Sequence, residues 1–202
     1  MSYFIFCATV VFLTVFSLKL HKAKKASQAS EEFWNREREA NMVRRVDPDT
    51  IDYLKIPLEH LPFEKHPDKT LLELQTTVQN LAGEKLLNLT GFTNTDLKLM
   101  YGAANLPMVS LCDQRFTLLA RTLYQWGSYL VELGELRKAQ IVLEYAVSCK
   151  TDISGIYTML ADIYLQDFHP EKVEELIASA NELPTLMKAS IVKKLKDKLA
   201  SQ

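Results

Sequence analysis

The chain has 202 residues, 24 lysines and arginines against 25 aspartates and glutamates, and a formal net charge of −1. By segment the balance is uneven, at about +4 over residues 19–45, about −9 over 46–183 and about +4 over 184–202, and the acidic middle argues against a nucleic-acid partner. Only six glycines and three cysteines occur; Gly83, Gly91 and Gly102 stand alone, so no phosphate-cradling glycine loop is present, and Cys7, Cys112 and Cys149 have no metal-ligand spacing.

From Tyr3 to Leu18 no charged residue occurs, and Phe, Val, Ile and Leu dominate. At about 1.5 Å per residue, residues 1–20 as a helix span roughly 30 Å, enough for a hydrocarbon core, with Lys19 able to snorkel toward headgroups. A cleaved signal peptide is the rival, but its positive charge precedes the apolar run, and here Lys19, Lys22, Lys24 and Lys25 follow it. Ala26-Ser27-Gln28-Ala29 imitates a cleavage site yet lies beyond those lysines. The expectation is therefore a retained single-pass anchor over 1–20, with the N-terminus outside and the remainder cytoplasmic by the positive-inside bias. The four lysines are candidate contacts for lipid headgroups.

Residues 21–67 read as a basic juxtamembrane helix followed by an extended arm. Glu32 and Arg36 have a favourable four-residue spacing in a short helix that also carries Phe33 and Trp34. Asp47-Pro48 ends that helix, and Pro57, Pro62 and Pro67 keep the next stretch extended. Ile51, Tyr53, Leu54, Ile56, Leu58, Leu61 and Phe63 are too apolar for a free linker, so the arm is expected to lie along a helical domain spanning 68–202. There Asp68 caps a helix with Leu71, Leu74, Val78 and Leu81 on one face and a stop at Gly83. A short helix follows over 96–101, and Ser110 with Asp113 has the capping-box spacing of a long helix running to about Leu133.

Beyond that point apolar residues recur at a spacing of 34. Leu123, Trp126, Gly127, Leu130, Ala139, Leu143 and Ala146 are answered by Tyr157, Leu160, Ala161, Tyr164, Val173, Ile177 and Ala180. Small residues let backbones approach while the large ones fill the adjacent volume, so the pattern predicts two stacked helical hairpins. Gly134 supplies the stop between helices in the first, and Pro170 can open a helix in the second. A final helix over 186–200 places Met187, Ile191, Leu195 and Leu199 at intervals of four, with Lys188, Lys193, Lys194, Lys196 and Lys198 largely elsewhere. It reads as a cap with a polar outer face.

These residues resemble the tetratricopeptide repeat, whose pattern is W-x2-L-G-x2-Y, then A-x3-F-x2-A, then P. The two copies cover about 120–153 and 154–187. Thr151 and Thr185 stand where the family has proline, and Val173 stands where it has alanine. The whole chain is also similar to a group of bacterial single-pass membrane-anchored proteins, which implies architecture and no activity. The resemblance implies an all-α fold in which the first helix of each repeat lines a groove. Helical phase then nominates Tyr124, Ser128 and Glu132 with Thr158, Asp162 and Gln166 as partner-binding residues. The basic clamp with which some members hold a C-terminal carboxylate is missing, so a basic or neutral segment suits Glu132 and Asp162 better.

No HExxH, CxxC or G-x-S-x-G motif occurs, and no enzyme or cofactor is expected. Glu59, His60, Glu64, His66 and Asp68 form a metal-ligand constellation in composition only, since the arm has no periodic scaffold to hold it. Asn88-Leu89-Thr90 has the form of a glycosylation acceptor, which a cytoplasmic location makes irrelevant. The leading functional expectation is a membrane-anchored scaffold that recruits a protein or peptide. A self-assembling structural membrane component is the alternative, and an enzyme with an unrecognised site is third.

Overall fold

The computed structural model describes the backbone of residues 2–65 and 68–201, and their side chains except those of residues 2, 4–11 and 15. Among the described residues every regular element is helical and there is no strand. The chain divides into two units, Met1–Val46 with Thr93–Leu106 and Asp47–Phe92 with Pro107–Gln202. Thr93–Leu106, which the sequence places inside a domain over 68–202, thus groups with the first helix.

In the first unit, α1 (Ser2–Met42) runs unbroken. The juxtamembrane helix is its direct continuation, because no Pro or Gly interrupts the chain before Pro48. Among the described residues no helix is long and apolar enough to cross a membrane. The anchor expected over 1–20 falls largely on side chains outside the described residues. Near its C-terminal end α1 pairs with α3 (Asn94–Tyr101), which opens on a reciprocal capping box between Thr93 and Asp96. Arg36 reaches Asp96 at 2.5 Å, and Glu37 accepts from Thr95 Oγ1 at 2.7 Å and from Lys98. Those bonds from Lys98 and Thr95 hold the Glu37 carboxyl below the ordinary range. The buried Asn105 amide donates to the Val46 and Tyr101 carbonyls at 2.7 and 2.8 Å and accepts from Arg45 Nε at 2.8 Å. Gly102, at φ +83°, passes so close to Arg45 that a Cβ would lie 2.8 Å from its Cα, so only glycine fits.

In the second unit the arm is part of the core. Ile56 and Leu61 are buried, Leu54, Leu58 and Phe63 pack beside them, and the Phe63 ring lies 5.1 Å from that of Trp126. The Leu54 amide donates to the Leu86 carbonyl at 3.0 Å, and Tyr145 Oη to the Lys55 carbonyl at 3.3 Å. α2 (Lys69–Ala82) starts at the Asp68 cap and stops before Gly83 as its residues require. The long helix α4 (Leu106–Glu132) begins earlier than Ser110. Pro107 sits in its first turn, where a missing N–H costs nothing, and Asp113 instead accepts the Leu89 amide at 3.1 Å. The Ser110–Asp113 spacing is therefore not a helix start.

The hairpins then repeat with a register of 34. α4 and α6 (Ser154–Gln166) end at Glu132 and Gln166, while α5 (Leu136–Ser148) and α7 (Pro170–Asn181) begin at Leu136 and Pro170. Their turns match bond for bond. Gly134 N–H donates to Val131 O and Glu135 N–H to Leu130 O, and one period later Phe168 N–H donates to Leu165 O and His169 N–H to Tyr164 O. This is the 6→1 and 5→2 pattern that closes a helix on a left-handed residue, here Gly134 at φ 77° and Phe168 at φ 60°. α8 (Lys188–Ala200) begins and ends one period after α6, so it occupies the first-helix place of a third unit. It starts at Lys188 rather than at 186: Ile191 and Leu195 are buried, but Leu186 and Met187 are exposed and do not extend the inner face.

Candidate functional site

A cleft of about 560 Å³ with both polar and apolar walls lies between α2 and α4. α2 contributes Thr70, Glu73, Leu74 and Thr77; α4 contributes Leu118, Thr122, Tyr124, Gln125, Ser128, Tyr129 and Glu132. The spacing of Glu73 and Thr77, and of Tyr124, Ser128 and Glu132, puts each set on one helical face. Asp68 fixes the start of α2, since its carboxylate accepts from the Leu71 amide at 2.9 Å and from Tyr129 Oη at 2.7 Å. The Leu71 amide, then Tyr129, lower the Asp68 carboxyl, and the same bond pushes the Tyr129 phenol up.

Several lining hydroxyls are already committed to helix carbonyls, Thr77 Oγ1 to Glu73 O and Thr122 Oγ1 to Leu118 O, each at 2.8 Å. Tyr124, Gln125 and Ser128 line the cleft with polar atoms available to a ligand. The described lining thus carries two exposed carboxylates, Glu73 and Glu132, the apolar side chains of Leu74 and Leu118, and no cation. Chemically this arrangement can hold a cationic or neutral polar segment with an apolar stripe.

The six residues nominated from the resemblance fall into two places. Tyr124, Ser128 and Glu132 line the cleft just described. Asp162 and Gln166 line a second one of about 490 Å³ with Leu165, Asp197, Lys198 and Ser201, where Lys198 of α8 pairs with Asp162. Thr158 is half-buried and donates to its own helix at Gly155 O, 3.2 Å away. Repeat phase could not reveal the α2 wall, because α2 lies outside the 34-residue pattern; the residues Thr70, Glu73 and Thr77 on its polar face were the available signal.

Tyr124 links the cleft to the next hairpin. A Cβ built on Gly155 would lie 2.5 Å from Tyr124 Cε2 and 3.0 Å from its Oη, so the ring rests directly on the α6 backbone. Gly155→Ala is expected to leave stability nearly unchanged, since Ala gains up to about 1 kcal/mol of helix propensity and the far end of the ring can swing aside. It should nevertheless displace Tyr124 into the cleft. A tyrosine ring shift in NMR spectra, with an unchanged urea midpoint, checks this.

The remaining candidates disperse. Glu64 pairs with Lys138 at 2.8 Å, Asp68 caps α2, Glu59 and His60 lie in the 3-10 turn Leu58–His60, and His66 lies outside the described residues. Among the described residues no group of three His, Cys, Asp or Glu is arranged to hold a metal. Cys112 and Cys149 are buried free thiols, and burial pushes the Cys149 thiol up to about 11. The Asn88 amide donates to the Cys149 and Lys150 carbonyls at 3.0 Å, so it serves a turn. The side chains of Lys19, Lys22, Lys24 and Lys25 are exposed on α1.

No protein-family model matches the chain, and no curated protein or solved structure matches it.

Proposed function

We propose that this chain is a membrane-anchored interaction module of tetratricopeptide-repeat type that recruits a protein partner to the cytoplasmic face. The observation that carries the reading is the α2–α4 cleft, whose lining is acidic and hydroxyl-rich with Leu74 and Leu118 among it. The bond-for-bond recurrence of the hairpin turns supports the repeat assignment. The charge-free run from Tyr3 to Leu18, continued by α1 and followed by four exposed lysines, supports the anchor and its orientation.

The probe for the cleft is a dye-labelled amphipathic peptide of lysine and leucine, titrated by fluorescence anisotropy into the full chain in a neutral detergent micelle. Each exposed ion contact contributes about 0.2–1 kcal/mol, so the two lost in E73Q/E132Q are expected to weaken binding by about twofold to thirtyfold and to flatten its salt dependence. Equal affinity for wild type and variant would overturn the cleft assignment. For the anchor, deleting residues 3–18 is expected to release the chain from membranes washed in alkaline carbonate. Retention of the deletion variant would place the membrane contact elsewhere.

A further inference from the structure

We infer that the cleft's occupant is α8 of a second copy of this chain, so that copies join head to tail. The inference rests on the cleft assignment above and adds the identity of the partner. Both surfaces belong to the second unit. One is the α2–α4 cleft, with Glu73 on one wall, Glu132 on the other and no lysine or arginine in its lining.

The other is the outward face of α8. Ile191 and Leu195 turn inward and are buried, which leaves Lys193 and Lys196 on the opposite side, three residues apart and exposed. The neighbouring lysines are spoken for within the chain: Lys198 pairs with Asp162 and Lys194 donates to Ser154 Oγ at 3.0 Å. Among the described residues Lys193 and Lys196 have no such partner, and Ala189 and Ala200 beside them let a second helix surface approach closely.

Charge complementarity selects this pairing. The C-terminal segment over residues 184–202 carries about +4 while residues 46–183 carry about −9, so the molecule is electrostatically asymmetric. The two surfaces are different patches, which makes the contact heterologous and open-ended rather than a closed dimer.

The experiment is sedimentation of the full chain in neutral detergent at low and high salt, using two charge-reversed variants. Wild type is expected to form species larger than one chain that dissociate as salt rises. E73K/E132K alone and K193E/K196E alone should each associate at least about tenfold more weakly. An equimolar mixture of the two should associate again, because the reversed cleft of one meets the reversed helix of the other. Circular dichroism of each variant verifies that it folds.

Three results would overturn the inference. Wild type could remain a single chain at low salt, or the mixture could fail to recover association although both variants are folded. K193E/K196E could also leave association intact while weakening binding to vesicles of one-third phosphatidylserine, which would assign the lysines to lipid. The lysine–leucine peptide separates the two levels. If it still binds wild type and loses affinity for E73K/E132K, the cleft assignment stands even where self-association fails.

Discussion

Trp126→Ala is expected to destabilise the second unit by about 3 to 5 kcal/mol. Trp126 has no exposed surface, and its ring meets Phe63 of the arm at a centroid distance of 5.1 Å and a tilt of 45°. Trp126 therefore packs the arm against the first hairpin, beside the Tyr145–Lys55 and Lys138–Glu64 contacts, and a loss of this size consumes much of the stability of an ordinary domain. Its indole nitrogen is buried without a hydrogen-bond partner, so removing it orphans no acceptor. Trp126→Phe should accordingly cost much less than the alanine variant. Urea unfolding followed by circular dichroism checks both, and amide exchange at Leu54, bonded to Leu86 O, should accelerate in the alanine variant as the arm loosens. A cost below about 1 kcal/mol for the alanine variant would mean that this position is not the joint between arm and hairpin.

The hairpins were legible because their determinants are local and periodic. Small residues at Gly127, Ala139, Ala146, Ala161 and Ala180 mark close backbone approach, and Gly134 marks a left-handed stop. Its counterpart Phe168 was not legible as a stop, since an exposed phenylalanine at φ 60° contradicts local preference. There the turn is imposed by the hairpin on either side of it. The arm's packing was visible in its apolar content, while its specific partner Trp126 lay 63 residues downstream from Phe63 and beyond any periodicity. The pairing of α1 with α3 depends on charges such as Glu37 and Lys98, 61 residues apart, which look like solvated surface in the linear chain. The same limit applies to the cleft. Periodicity nominated Tyr124, Ser128 and Glu132, but the wall bearing Glu73 required tertiary structure.

The packing of one hairpin against itself yields the second large effect. A Cβ on Gly127 would lie 2.5 Å from Leu143 Cδ2 and 2.8 Å from its Cγ, and Leu143 is wholly buried. Gly127→Ala should gain up to about 1 kcal/mol of helix propensity yet lose about 1 to 3 kcal/mol to overpacking, because Leu143 has nowhere to move. Leu143→Ala alone should cost about 2 to 5 kcal/mol through lost burial and the space left behind. In the double variant the new methyl enters that space, so its cost is expected to fall short of the sum by at least about 1 kcal/mol. The second hairpin already carries the complementary solution. Ala161 stands one period after Gly127, and Ile177, one period after Leu143, is only partly buried. An alanine on the first helix is thus accommodated where the facing aliphatic residue is less enclosed. Gly127→Ala/Leu143→Ile should therefore be more stable than Gly127→Ala alone if the two hairpins share one packing scheme. Strict additivity in both cycles, measured by urea unfolding, would show that positions 127 and 143 do not touch and would remove the close helix approach on which the stacked-hairpin account rests.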